Sequence, residues 1–264
     1  MCGIAGIIDI KYKKQYPLMP LAEKMMHRFL WLTLYLLLVL PVLAQDDSLS
    51  FETIELSASD DLMLIGDFYV PDMMDESVPA LLLMHMNGGR RSDYLPIIPA
   101  LMDSGYAVLT VDLRAHGETG GGRDWDLAIE DTQYWLDWLS EQESVDASRI
   151  ATIGGSIGSN LALIGCANDD NCLTAIALSP GEDYFGVMPG DSLVNGLNAF
   201  LVASHDDRQS AESIRAFFTD ETGYVSSRMY PGRAHGTQLF SSELESISNA
   251  IIAWLDEQFA SVEA

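Results

Sequence analysis

Gly154-Gly155-Ser156-Ile157-Gly158 constrains this chain more than any other stretch. It lies between Arg149–Ile153, a short apolar run with the character of a buried strand, and Asn160–Ala167, which reads as a helix. A strand passing into a helix through a turn this short leaves no room for side chains beside the serine, hence the glycines. Such a turn lifts the Ser156 hydroxyl clear of the sheet and brings the Ile157 N–H toward any oxyanion that forms there. The same pentapeptide also fits a plain Gly/Ser connector, so its partners matter.

A serine hydroxyl is a poor nucleophile without a base, and the base needs an orienting carboxylate. Downstream, the strand-like run Asn198–Ser204 leads into His205-Asp206-Asp207, and a second run, Tyr224–Met229, leads into Tyr230-Pro231-Gly232-Arg233-Ala234-His235-Gly236. Ser156, Asp207 and His235 therefore each follow a predicted strand, where open α/β sheets place their sites. The gaps between them each have room for one strand–helix unit. A second oxyanion donor is expected from the loop His85-Met86-Asn87-Gly88-Gly89, with Asn87 ahead of Met86, although this loop also reads as a glycine-rich turn opening a helix.

The rest of the pattern alternates strands and helices. Phe51–Val70 alternates apolar and polar residues around Asp60-Asp61 and predicts a hairpin. Pro79–His85 and Ala107–Leu113 are continuous apolar runs, as in buried parallel strands. Ser92–Ser104 is expected to be a helix capped by Ser92, Asp124–Gln142 a helix whose tryptophans face the core, and Ser241–Phe259 a closing helix. Strands and helices in alternation imply a mostly parallel sheet covered on both faces.

The chain has two unusual ends and an extreme charge. Met26–Ala44 has a basic start, an apolar stretch and Val42-Leu43-Ala44, the pattern of a secretory signal peptide; a membrane anchor competes with it. Residues 1–25 then form an upstream extension, 45–264 the folded domain, and the expected location is periplasmic or secreted. Formal net charge is −25 over 264 residues. From residue 45 onward there are 9 basic and 37 acidic residues and no lysine, which disfavours nucleic acid and anionic membranes as partners. It also suits a saline setting, where ions screen self-repulsion. Cys166 and Cys172 fit either a disulfide or two thiols. No metal-ligand cluster or cofactor motif stands out, and oligomeric state is not legible.

Several stretches together carry a resemblance. Residues 80–119, GGSIG, ASHDD and YPGRAHG resemble the α/β-hydrolase superfamily, especially small dienelactone hydrolase-like serine esterases, over about residues 50–260. The resemblance implies an α/β-hydrolase fold with a minimal lid and no cofactor. It implies Ser156 as nucleophile, His235 as base, Asp207 as orienter, and a small-molecule ester as substrate. Dienelactone hydrolases proper carry Cys where this chain has Ser156, which points away from dienelactone. Pro180–Gly196 is the one candidate cap, with Tyr184, Phe185 and Met188 expected at the rim. Tyr184 and Met86 are the expected substrate-binding residues. A prolyl-oligopeptidase-like peptidase and a non-catalytic binding protein on the same scaffold are the rival readings. Separately, Met1–Asp9 and Leu21–Arg28 resemble the start of the glutamine amidotransferase domain of asparagine synthetases, where the residue matching Cys2 is the nucleophile. So short a piece cannot build that core.

Overall fold

A computed structural model describes residues 49–72, 76–218 and 223–261. The chain divides into two units, Met1–Ser48 and Leu49–Ala264. The stretches read as an upstream extension and a signal peptide, and Cys2, lie outside the described residues.

The hairpin pairs β1 (Glu52–Ser57) with β2 (Met63–Tyr69), and Asp61 takes φ 62° at its turn. The other strands are β3 (Val78–Met84), β4 (Ala107–Val111), β5 (Val145–Gly155), β6 (Cys172–Leu178), β7 (Asn198–Ser204) and β8 (Val225–Tyr230). They form one eight-stranded sheet in the order β1-β2-β4-β3-β5-β6-β7-β8. β2 meets β4 antiparallel, and every pairing from β4 through β8 is parallel. This is the mostly parallel sheet expected from the sequence.

Period-two geometry explains why the central strands are apolar throughout. In β3, Leu81 and Leu83 enter one core layer, with Ile98, Leu101 and the closing helix. Ala80, Leu82 and Met84 enter the opposite layer, with Trp135, Leu136, Leu161 and Ala162. Helices α1 (Ile98–Asp103) and α6 (Leu239–Ala260) therefore cover one face, while α2 (Trp125–Ser140) and α3 (Ile157–Ala167) cover the other. Two further helices, α4 (Gly190–Val194) and α5 (Arg208–Phe217), flank β7 in sequence.

One expected helix is broken. Ser92–Ser104 forms a 3-10 turn at Arg91–Tyr94 and then α1, with Ser92 inside the turn rather than capping it. Pro96 and Pro99 are the cause, since each lacks the N–H that a continuous helix would bond to the carbonyls of Ser92 and Leu95. The turn is instead closed by Asp93, whose carboxylate accepts the Arg90 N–H. α2 begins as read, with Asp124 capping it through the Leu127 N–H. A disulfide joins Cys166, at the end of α3, to Cys172, at the start of β6. No helix among the described residues is long and apolar enough to cross a membrane.

Candidate active site

Ser156 sits where β5 turns into α3, with φ 54° and ψ −121°. That backbone region is sparsely populated for a side-chain-bearing residue and costs on the order of 1–3 kcal/mol. Two glycines make the turn possible. A Cβ on Gly154 would lie 1.9 Å from the Gly158 carbonyl oxygen, and one on Gly158 would lie 2.3 Å from that of Met84. The Ser156 N–H is fastened to the Leu178 carbonyl at 2.8 Å, tying the turn to β6.

The three residues singled out by sequence meet here. His235 Nε2 is 2.8 Å from Ser156 Oγ, and His235 Nδ1 is 2.8 Å from Asp207 Oδ2. Asp207 follows β7 and His235 follows β8, so adjacent parallel strands deliver them to the same edge as the serine. Burial alone would raise the Asp207 pKa. Hydrogen bonds with His235, Ser179 and Ser210 outweigh it and hold the carboxyl below its ordinary value. Asp207 is therefore ionised and accepting, which leaves the imidazole proton on Nδ1 and Nε2 free to accept from Ser156.

The turn beside His235 is close-packed as well. Gly236, at φ 55°, donates its N–H to Ser179 Oγ at 2.9 Å, and a Cβ there would meet Met86 Sδ at 3.3 Å and the Ser156 nitrogen at 3.4 Å. Met86, in the loop after β3, thus reaches the turn beside His235. The Ile157 amide belongs to the first turn of α3, where helix N–H groups lack internal partners, and the helix dipole adds to their pull on an anion.

Asn87 follows β3 in a loop held by two histidines. His85 Nδ1 donates to the Met86 carbonyl at 2.8 Å, and its Nε2 accepts the Leu113 N–H at 3.0 Å. His116 Nε2 accepts the Gly88 N–H at 2.9 Å and lies 3.2 Å from Asn87 Oδ1; its Nδ1 donates to the Arg114 carbonyl at 2.9 Å. Both histidines fasten the loop. Arg91 adds ion pairs to Asp67, Asp112 and Glu118.

His85 carries a consequence for stability. Burial pushes its pKa down to about 4. The unfolded chain, with the ordinary value near 6.5, then binds the proton first on acidification. Folded-state stability from this group is complete above about pH 6.5 and is lost as pH falls toward 4, by up to about 1.4 kcal/mol per pH unit. Urea unfolding at pH 7, 6 and 5 is expected to show this slope, and His85→Asn to flatten it. Equal slopes in both proteins would remove His85 as the cause.

Tyr184 borders the same constellation. Its ring stands edge-on to His235 at 6.3 Å. Its hydroxyl donates to the Ser179 carbonyl at 3.2 Å and lies 3.2 Å from Ser210 Oγ. Burial raises the phenol pKa and the Asp207 charge adds to this, while hydrogen bonds with Ser210 and Ser156 pull it back. Sequence reading missed what holds Tyr184 there. Asn160, fully buried one turn into α3, donates to the carbonyls of Gly181 (2.9 Å) and Val187 (2.8 Å) and accepts the Gly181 N–H (3.1 Å). The spacing of Asn160 from Ser156, one helical turn on, was the available signal. Ser179 and Ser210 were also missed, because their roles depend on contacts between separate strands and helices. Among the described residues, no group of three or more His, Cys, Asp or Glu could hold a metal ion.

A family model described as alpha/beta hydrolase fold matches residues 79–220, just over half of the chain. The chain is a member of that family. An uncharacterised Mycobacterium tuberculosis protein is 35% identical over 103 residues, covering 39% of this hydrolase-fold chain and 37% of its own length. The Salmonella typhi protein YfhR is 26% identical over 175 residues, covering 61% and 58%. The chain thus spans between about two fifths and three fifths of these curated relatives. Among solved structures, a dienelactone hydrolase from Anabaena variabilis superposes with TM-score 0.67 at 17% identity, over 79% of this chain and 98% of that one. An acetyl xylan esterase from Paenibacillus sp. R4 gives 0.69 at 17% identity, over 81% and 85%. At these identities the likeness is one of fold.

Proposed function

We propose that this α/β-hydrolase is a serine hydrolase that cleaves carboxylic esters through an acyl-enzyme. The observation that carries this reading is the continuous hydrogen-bonded line from Asp207 through His235 to Ser156 Oγ, at 2.8 Å per link. As Ser156 Oγ attacks the ester carbonyl carbon, His235 Nε2 takes its proton, and the ionised Asp207 stabilises the imidazolium. The carbonyl π electrons move to oxygen, and the oxyanion rests on the N–H groups of Ile157 and Asn87. Collapse breaks the bond to the alcohol oxygen, which takes the proton from His235. Water, giving a proton to His235, then attacks the acyl carbon, and the acid leaves as Ser156 recovers its proton. Met86 and Tyr184 line the substrate side.

The short Pro180–Gly196 segment, with α4 as its one short helix rather than a multi-helix lid, supports a small or exposed ester as substrate. Export to the periplasm or medium belongs to the same proposal, and rests on the composition of residues 26–44. A fluorophosphonate probe is expected to label Ser156, which separates this reading from a non-catalytic binding protein. A short p-nitrophenyl ester is expected to turn over while an aminoacyl-p-nitroanilide does not. The reverse preference would favour a peptidase, and absent labelling would remove the nucleophile.

A further inference from the structure

The segment after β6 contains a residue whose identity opposes its backbone. Tyr184 and Val187 bond to each other through both backbone N–H and carbonyl groups (3.2 and 3.0 Å), so Phe185 and Gly186 form a two-residue turn. Both central residues have positive φ, 56° and 91°. Such a turn favours Asn-Gly or Gly-Gly, because a large side chain at the first position crowds its own carbonyl. Asp183 tightens the turn by accepting the Gly186 N–H at 2.7 Å. Phe185 is nonetheless aromatic and 60% exposed, so burial does not compensate for the strain.

What Phe185 does have is a partner. Its ring stacks on Trp125 with centroids 5.5 Å apart and planes 15° from parallel, and the Arg123 guanidinium lies over the Trp125 ring at 5.9 Å. Trp125 opens α2 and is partly buried: it packs against the core layer that holds Trp135, as expected of the helix tryptophans, while its ring also meets Phe185. The stack is tied to both halves of the candidate site. On one side, Trp125 lies 6.4 Å from the ring of His116, which holds the Gly88 amide beside Asn87. On the other, Phe185 is bonded to Tyr184, whose ring borders His235.

We propose that Phe185 and Trp125 form a flat aromatic shelf at the mouth of the site, and that it selects esters carrying an aromatic ring on the acyl or the alcohol side. Planar π faces of this kind prefer offset stacking with another ring over contact with a saturated ring of equal size. The strained turn keeps the shelf in place before substrate arrives, so little ordering is required on binding. This inference rests on the ester-hydrolase reading and names its substrate class.

Two ester pairs test it, with acid release as the readout: ethyl 3-phenylpropanoate against ethyl 3-cyclohexylpropanoate, and 2-phenylethyl acetate against 2-cyclohexylethyl acetate. The wild-type protein is expected to favour the phenyl member of at least one pair about tenfold in kcat/KM, and the pair that responds assigns the ring to the acyl or the alcohol side. Phe185→Asn suits the turn, so its Tm is expected to rise by about 2–4 °C. In this variant and in Trp125→Leu the phenyl-over-cyclohexyl preference in kcat/KM should fall to about twofold or less. No preference in the wild type, or one that survives both substitutions, overturns the shelf. Binding is read without turnover from the Tm shift given by 3-phenylpropanoate and 2-phenylethanol against their cyclohexyl counterparts. A phenyl-specific shift, lost in Trp125→Leu, with no ester hydrolysed would support the shelf and fail the hydrolase reading; no phenyl-specific shift would fail the shelf.

Discussion

Ser156→Ala is expected to lower turnover of a short p-nitrophenyl ester by at least about four orders of magnitude, because the proposed base acts only through the nucleophile and what remains without it is the smaller contribution of the oxyanion donors and substrate binding. The fold should survive, since the Ser156 N–H bond to Leu178 comes from the backbone and is kept. Ser156→Gly is expected to be equally inactive but more stable, with Tm higher by about 2–4 °C, as glycine adopts φ 54° without strain. Opposite movement of stability and activity at one position is the signature of strain held for function. Turnover within tenfold of the wild type in Ser156→Ala would refute the assignment.

Arg114→Met is expected to cause the largest loss of stability. Arg114 is almost fully buried, and its guanidinium grips Asp131 at 2.7 and 2.9 Å and Asp60 at 2.7 Å. Removing the cation leaves Asp131 buried and unpaired, at a cost of about 3–5 kcal/mol, or a Tm lower by on the order of 10 °C. Burial already raises the Asp131 pKa despite Arg114, and losing the arginine raises it further. A group whose folded pKa is raised contributes stability at low pH that is lost as pH rises, so the deficit should be larger at pH 8 than at pH 5. Arg114→Met with Asp131→Leu is expected to recover most of the loss. A single variant melting within 2 °C of the wild type would show that the pair is not needed.

The elements legible from sequence were those whose signal is local. The hairpin at Phe51–Val70, the continuous apolar run of β3 and the helix read from Asp124 each depend on a few neighbouring residues, and each is present in the fold. The helix expected at Ser92–Ser104 failed for a local reason too, as two prolines outweighed apolar spacing. Cys166 and Cys172 were left open between thiols and a disulfide, because spacing does not say whether two side chains point at each other; here they are bonded.

By itself, the sequence determined the strand-turn-helix at Ser156 and the order of the residues that end neighbouring strands. Both follow from backbone sterics and from parallel pairing, which carries strand ends to a common edge. Only the tertiary structure decided how those ends are dressed: Ser179 and Ser210 on Asp207, Asn160 anchoring the loop that carries Tyr184, and Phe185 facing Trp125. These contacts join residues from different elements, and their distances and angles depend on how helices and loops pack over the sheet, for which no short stretch of sequence holds a code.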